Sequence, residues 1–166
     1  MRIFYFHNSI KIMLDQTQYN QQQCLKYFLN LINKRDYSKW QLTQKAIAKK
    51  IEQKYIDYSL NWLAQYNYVN DERLAKNLIE FYNGQKGSQW LKQKFHQKGI
   101  DKDIIEKVLA QLQSTPDLEV KNRLAQKLKI ENWNNLDIKQ KNKIIYFLTS
   151  RGFSNPFGIL QSWQNN

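Results

Sequence analysis

Cysteine, glycine and proline are scarce in this sequence of 166 residues, which has one Cys, five Gly and two Pro. The single cysteine, Cys24, cannot form an intrachain disulfide, which is typical of proteins in a reducing cytoplasm. Its place beside Leu25 in a helical pattern predicts a small core residue rather than a nucleophile. No sustained alternation of apolar and polar residues follows residue 15, so β structure is not expected there.

Long apolar runs are also missing. No segment has the length needed to span a membrane, and polar residues such as His7, Asn8 and Lys11 interrupt the apolar N-terminal stretch. No small-residue cleavage site follows this stretch. We therefore expect no signal peptide, a cytoplasmic location and no association with a membrane.

Residues at the spacing of a catalytic or metal site are lacking as well. The two histidines, His7 and His96, are not at metal-ligand spacing with each other or with Cys24. The segment 84–88 contains two glycines but lacks the Gly-Lys-Ser/Thr sequence of a phosphate-binding loop. We therefore expect no metal, no cofactor and no catalytic residue, and hence a protein that is not an enzyme.

Acidic residues are few relative to basic ones, with 14 Asp plus Glu against 26 Lys plus Arg and a net charge of +12. A protein this basic usually meets a polyanion, which could be nucleic acid, an acidic protein surface or an anionic membrane. The alternative is a basic surface that serves only solubility. Hydrophobic residues make up 42% and aromatic residues 14% of the chain, which predicts a folded core containing most of the aromatic side chains.

What the sequence does contain is a repeated helical pattern. Apolar residues recur at the i, i+4, i+7 spacing of a helix buried along one stripe. A shift of 49 positions, from Leu25 to Leu74, aligns two such patterns. The aligned residues are Leu25, Leu29, Ile32, Leu42, Ala46, Lys49, Ile51, Ile56, Leu60 and Leu63 with Leu74, Leu78, Phe81, Leu91, Phe95, Lys98, Ile100, Ile105, Leu109 and Leu112. A third copy follows at a slightly longer offset, with a last helix marked by Phe157, Leu160 and Trp163.

This periodicity predicts an all-α fold of three tandem three-helix repeats, at about 16–69, 70–115 and 116–166, that form an elongated array able to curve. Residues 1–15 stand outside the repeat as an N-terminal extension, in which Arg2–Phe6 could be a short strand or an ordered arm. Helix boundaries are expected at Asn70-Asp71-Glu72, Gly99 with Asp101, Ser114–Asp117 and Arg151–Pro156.

Basic residues concentrate in the middle helix of each repeat and the turns beside it. One column is common to all three repeats, with Lys49, Lys98 and Arg151 at the C-terminal end of the helix. Cations there interact favourably with the helix dipole, by roughly 0.3–1 kcal/mol, which does not explain why the rest of each helix lacks acids. A repeated basic ridge suits a long regular polyanion. A helix-turn-helix reader is the weaker alternative, using Gln41, Gln44, Gln89 and Gln93.

Three motifs carry a resemblance to a known family. The segment Tyr68-Val69-Asn70-Asp71-Glu72-Arg73-Leu74-Ala75, followed by Gly84, Gly87, Leu91 and Lys98-Gly99-Ile100, resembles the second-repeat signature of RecX proteins. Arg35-Asp36-Tyr37-Ser38 with Leu42 is similar to the first-repeat turn, and Arg151-Gly152-Phe153-Ser154 to the third-repeat ending. Two departures stand out. Asn70 replaces an acidic residue, and Lys50-Ile51 replaces a Lys-Gly turn, so the second and third helices of the first repeat are expected to join differently.

The resemblance implies a regulator that binds in the groove of RecA–DNA filaments and limits recombinase and coprotease activity in DNA repair and the SOS response. The partners expected are the RecA filament and single- or double-stranded DNA, with the chain itself a monomer. The alternatives are a stand-alone DNA-binding module and a helical scaffold. The contact residues would be Lys45, Lys49, Lys92, Lys94, Lys98, Lys143 and Arg151. Among the family-motif residues, Asp71 would cap a helix, Arg73 would be solvated or paired, and Gly87, Gly99 and Gly152 would serve the backbone.

Overall fold

The computed structural model describes residues 20–82, 84–112, 116 and 118–165. Over these ranges the chain forms nine α-helices and one 3-10 turn, without a strand, which confirms the all-α prediction. The helices are α1 (Gln21–Ile32), α2 (Lys39–Ala48), α3 (Gln53–Gln65), α4 (Asp71–Phe81), α5 (Ser88–Gln97), α6 (Lys102–Ala110), α7 (Leu118–Leu128), α8 (Ile138–Ser150) and α9 (Pro156–Gln164), with the 3-10 turn at Trp133–Asn135. The suggested strand or arm at 2–6 and most of the break at 114–117 lie outside the described residues.

The chain divides into two compact units between Val69 and Asn70. In the first unit, α3 packs against both α1 and α2. Its core is formed by the residues on the facing stripes, namely Cys24, Phe28, Leu42, Ala46, Ile51, Ile56, Leu63 and Val69. Cys24 is fully buried, as predicted, and burial raises the pKa of its thiol.

The second unit contains two clusters of buried residues. The first joins α4, α5 and α6 through Leu74, Ala75, Leu91, Phe95, Ile100, Ile105 and Val108. The second joins α7, α8, the 3-10 turn region and α9 through Val120, Leu124, Leu136, Ile144, Leu148, Phe153, Ile159, Leu160 and Trp163. The two clusters lie within one compact unit, and three-helix segments of this length bury little surface on their own, so we expect both clusters to contribute to the stability of the unit.

The prediction that most aromatic side chains contribute to the core holds only in part, because eight of the described rings are partly buried and pack against the clusters from outside: Tyr27, Tyr37, Tyr55, Trp62, Tyr82, Trp90, Trp133 and Phe147. Among the described residues, the buried aromatic side chains are Phe28, Phe95, Phe153 and Trp163. Phe81 and Phe157, which were expected on buried stripes, are 73% and 71% exposed. Successive side chains on a helix point about 100° apart, so Phe81 and Tyr82 cannot both face the core at the end of α4. Tyr82 is the residue that packs against the cluster, with its ring edge-on to Trp90.

The three middle helices α2, α5 and α8 end in the same way. Lys49, Lys98 and Arg151 are their C-caps, and the next residue has a left-handed backbone in each case, with φ values of 57° at Lys50, 65° at Gly99 and 80° at Gly152. The amide of the following residue then bonds the carbonyl five positions back at 3.1 Å in all three, which is the Schellman motif. The expectation of a different join after α2 is therefore wrong, because Lys50 itself adopts the conformation that glycine takes elsewhere.

The start of α4 also differs from expectation. Asn70 is the N-cap, and its side-chain oxygen accepts a hydrogen bond from the amide of Arg73 at 2.9 Å. Asp71, expected as the cap, is instead the first residue of the helix and is only 9% exposed. Two other predicted restarts are confirmed: Asp101 caps α6, and Asn155 caps α9 with Pro156 at its first position.

Candidate binding site on the middle helices

The seven predicted contact residues fall into two groups by exposure. Lys49, Lys92 and Lys143 are exposed, whereas Lys45, Lys94, Lys98 and Arg151 are half-buried. In the part of the chain that the structure describes, the three exposed lysines form no ion pair. Their charges are therefore available to an external anion.

Three of the half-buried cations, Lys45, Lys94 and Arg151, lie on aromatic rings. In the second unit, the Trp90 ring has the Nζ of Lys86 at 4.7 Å and that of Lys94 at 5.8 Å from its centroid. Trp90 and Lys94 are four residues apart on α5 and so lie on one side of the helix, and Lys86, in the turn before it, reaches the same ring. Such contacts hold the alkyl stems in place and leave the ammonium groups at the surface.

A similar arrangement occurs in the first unit. The Tyr37 ring has the guanidinium of Arg35 at 4.5 Å and the Nζ of Lys45 at 5.5 Å from its centroid. Lys45 is the residue that the 49-position shift aligns with Lys94. Equivalent lysines in two repeats therefore share an aromatic ring with a second cation from the preceding turn. We call these two groups the cation–aromatic clusters.

Arg151 links the third repeat to the cluster at Trp90. Its guanidinium lies 4.4 Å from the centroid of the Phe147 ring and donates a hydrogen bond to the carbonyl of Gln85 at 3.3 Å. Burial lowers the pKa of Lys86, and the positive charge of Arg151 lowers it further. Two cations are thus held close together without an acid between them, so an anion bound there would relieve their repulsion.

The backbone joint beside this cluster depends on two glycines. The amide of Gly87 donates to the carbonyl of Arg151 at 2.9 Å, and the amide of Gln89 donates to the carbonyl of Gly152 at 3.1 Å. Gly87 is the N-cap of α5 and makes no side-chain cap. Amides at the start of a helix have no carbonyl partner within the helix. At the start of α5, those of Gly87 and Gln89 bond instead to the carbonyls of Arg151 and Gly152 at the end of α8.

The acidic side chains with resolved ion pairs lie on the flanking helices instead. Glu72 on α4 bonds Lys76 at 2.7 Å and Lys107 of α6 at 2.9 Å. These two bonds hold the pKa of Glu72 at about 2. Similar pairs join Lys102 to Glu106 and Arg123 to Glu119. The acids thus neutralise cations away from the middle helices.

The described residues give little support for a helix-turn-helix reader and none for a metal site or a membrane-spanning helix. Gln41 is half-buried and closes a capping box with Ser38, so it is occupied locally, whereas Gln44, Gln89 and Gln93 are exposed. No group of three His, Cys, Asp or Glu side chains in these ranges could hold a metal ion. In the same ranges, no helix combines the length and apolar character needed to cross a membrane.

Sequence reasoning missed the aromatic partners Tyr37, Trp90 and Phe147, and also Lys86. The signal was present for Trp90 and Phe147, because Trp90 and Lys94 are spaced by four residues on α5, as are Phe147 and Arg151 at the end of α8, whereas Lys86 precedes α5. Four-residue spacing on a helix predicts neighbouring side chains. Tyr37 lies in a turn, where no such periodicity applies.

The fold and these surfaces define an all-α protein of three-helix units whose middle helices carry cations beside aromatic rings. The segment 70–109 matches the sequence model of the RecX second three-helix domain. A relative from Haemophilus ducreyi, named Regulatory protein RecX, is 34% identical over 134 residues, covering 79% of this chain and 85% of the relative. The protein of the same name from Actinobacillus pleuropneumoniae is 31% identical over 132 residues, with the same coverage. The chain belongs to the RecX family of regulatory proteins.

A solved structure agrees with this assignment at the level of the fold. The crystal structure of RecX from Lactobacillus salivarius superposes with a TM-score of 0.69 at 21% identity, covering 86% of this chain and 92% of that chain. The resemblance inferred from the sequence motifs is therefore confirmed.

Proposed function

We propose that this protein binds RecA–DNA filaments in the cytoplasm and inhibits their recombinase and coprotease activities, and that it does so by binding, without catalysing a reaction. The observation that carries the proposal is the recurrence of cations at equivalent positions of the middle helices, with Lys49, Lys98 and Arg151 as the C-caps of all three. A filament presents the same acidic surface or phosphate at regular intervals, so a repeated cation suits a repeated anion.

The cation–aromatic clusters support a polyanion as the partner. Lys45 and Lys94 are held against Tyr37 and Trp90, so less side-chain entropy is lost when they contact an anion than for freely moving lysines. The choice of RecA over naked DNA rests on the family, whose members are regulatory proteins. A stand-alone DNA-binding module would use the same surface without a protein partner.

The test measures ATP hydrolysis and strand exchange by the cognate RecA on DNA, with this protein added at substoichiometric amounts. The proposal predicts that both rates fall. If both rates stay unchanged while the protein binds naked DNA tightly, the stand-alone module is the better description.

The contact surface is tested with exposed lysines, whose replacement costs little folding free energy. The double variant Lys49→Glu, Lys92→Glu changes one middle helix in each unit. Its matched control, Lys26→Glu with Lys129→Glu, changes the net charge equally on exposed positions outside the middle helices. Inhibition should weaken by about tenfold in the first variant, at about 0.7 kcal/mol for each contact, and stay near wild type in the second. Equal loss in both would mean that net charge alone matters.

A further inference from the structure

A groove in the second unit runs between α7 and α8 and is separate from the cation–aromatic clusters. It encloses about 590 Å³ and is formed along both helices. Its apolar floor consists of Leu124, Leu128 and Phe147, and the exposed ring of Tyr146 stands beside them. A volume of this size is typical of sites that bury a small ligand or the anchoring side chains of a peptide.

The edges of the groove are basic. Lys127 on α7 and Lys143 on α8 line it, and an adjoining pocket of about 190 Å³ shares Leu124, Lys127 and Phe147 and adds Arg123 and Arg151. Arg123 already has Glu119 as a neighbour at 3.8 Å. Lys127 and Lys143 have no ion pair in the described ranges, and no carboxylate lines either pocket.

We propose that this groove binds an acidic peptide segment that carries one or two large apolar side chains. The apolar floor accepts the apolar side chains, and Lys127 and Lys143 pair with carboxylates on either side of them, which fixes the register of the segment. Charge argues against two other occupants. A second copy of this chain carries +12, and the segment 1–19 has Arg2 and Lys11 against the single acid Asp15.

A nucleic-acid strand fits this groove less well than the peptide does. Strands without sequence preference are bound by rows of cations beside flat aromatic faces on which the bases stack. Here two of the three floor residues are leucines, which offer contact to aliphatic or aromatic side chains but no stacking surface. Lys143 belongs to the contact residues predicted from the sequence, whereas Lys127 and Tyr146 lie outside that set, so the proposal goes beyond RecA binding.

The experiment uses the full chain and a fluorescein-labelled peptide, Asp-Glu-Asp-Phe-Glu-Asp-Leu-Glu, with fluorescence anisotropy near physiological ionic strength. A matched peptide has serine in place of Phe and Leu. The apolar peptide should bind at least about fivefold more tightly than the serine peptide. Failure of the apolar peptide to bind, or equal binding of the two, would overturn the proposal.

Exposed positions supply the variants, so that folding is preserved and can be checked by circular dichroism. Lys127→Glu and Tyr146→Ser should each weaken binding of the apolar peptide by about three- to tenfold. The control Lys141→Glu changes an exposed lysine of α8 that does not line the groove, and it should change binding by less than about twofold. An equal loss in the control would reduce the interaction to nonspecific attraction and reject the site.

Two further measurements identify other occupants. An oligo-dT strand that displaces the peptide, and whose own binding is lost in Lys127→Glu, would make the groove a nucleic-acid site and overturn the proposal. A dimer in sedimentation that is abolished by Tyr146→Ser would make it a self-association surface, with the same consequence. A monomer whose bound peptide is not displaced by oligo-dT supports the proposal.

Discussion

The backbone of Gly87 lies so close to that of Gly152 that a Cβ atom at Gly87 would overlap the carbonyl of Gly152. A Cβ atom at Gly152 would in turn overlap the backbone amide of Trp90. The approach brings the C-terminal end of α8, with its partial negative charge, to the N-terminal end of α5, with its partial positive charge. The two hydrogen bonds at this joint connect the two clusters of buried residues in the second unit.

Replacing either glycine at this joint with alanine should destabilise the second unit. For Gly87→Ala we expect a loss of about 1–3 kcal/mol in the free energy of unfolding, because backbone atoms must move apart. Gly152→Ala should lose more, since its φ of 80° also disfavours a side chain. Urea denaturation followed by tryptophan fluorescence measures both.

Gly99→Ala is the control for the backbone conformation alone. Gly99 follows the C-cap of α5 with φ 65°, and its replacement should cost about 1–2 kcal/mol. If Gly87→Ala lowers the free energy of unfolding by no more than a typical exposed substitution does, the close approach of the two backbones at the joint is contradicted.

Lys50 offers a stabilising substitution. It holds φ at 57°, a conformation that disfavours residues with a Cβ atom, at a position where the other two middle helices have glycine. Lys50→Gly should therefore raise the stability of the first unit by about 1 kcal/mol. Thermal unfolding followed by circular dichroism checks it.

The matched control is Lys49→Gly, one residue earlier, where φ is −89°. Glycine removes no strain there and adds entropy to the unfolded chain, so the variant should be less stable than wild type. A gain in stability at Lys49 as large as that at Lys50 would show that removal of a lysine charge, rather than relief of backbone strain, is responsible.

The sequence predicted what depends on neighbouring residues along the chain. Helical stripes, the caps at Asp101 and Asn155, and the C-cap column all follow from local periodicity and side-chain chemistry. The joint of Gly87 with Gly152 could not be predicted, because it connects residues far apart in sequence through backbone atoms. The position of Phe81 was wrong because helix periodicity locates a stripe only to within one residue at a helix end.

The candidate site was also predictable only in part. The basic middle helices are visible in composition, and the structure adds which cations are held by aromatic rings. Trp90 is half-buried with Lys86 and Lys94 against it, yet in the sequence it is one of three apolar residues in α5, beside Leu91 and Phe95, and nothing marks it as a partner of cations. The groove between α7 and α8 depends on how far apart two helices lie, which no local pattern contains.

The stability of the second unit should depend on pH through Glu72. Its pKa is lowered to about 2 from an ordinary value of 4.5 by Lys76 and Lys107. The carboxyl of Glu72 holds its proton less tightly in the folded protein than in the unfolded chain. Its ion pairs therefore add fully to the free energy of unfolding above pH 4.5, and this stabilisation is lost as the pH falls toward 2. Glu72→Gln should therefore flatten the loss of stability over this range, as measured by urea denaturation at several pH values.

The control for this prediction is Glu106→Gln. Glu106 is exposed, and it pairs with Lys102 on its own helix at 3.6 Å, whereas Glu72 joins α4 to α6. Exposed pairs of this kind contribute little, so the acid dependence should remain close to that of wild type. The same flattening in both variants would argue against a specific role for the bond between Glu72 and Lys107.

The proposed polyanion surface makes a prediction about salt. Each cation that contacts a phosphate releases counterions, so the logarithm of the binding constant falls linearly with the logarithm of salt concentration. Replacing the exposed Lys92 of α5 with alanine should reduce the magnitude of this slope by about 1 for DNA-bound filaments. Lys26→Ala removes an equally exposed lysine from α1, which is not a middle helix, and should leave the slope unchanged. Titrations by fluorescence anisotropy across a range of salt concentrations measure both. If the two variants reduce the slope equally, the contact is not confined to the middle helices, and the repeated column of Lys49, Lys98 and Arg151 would reflect favourable helix capping alone.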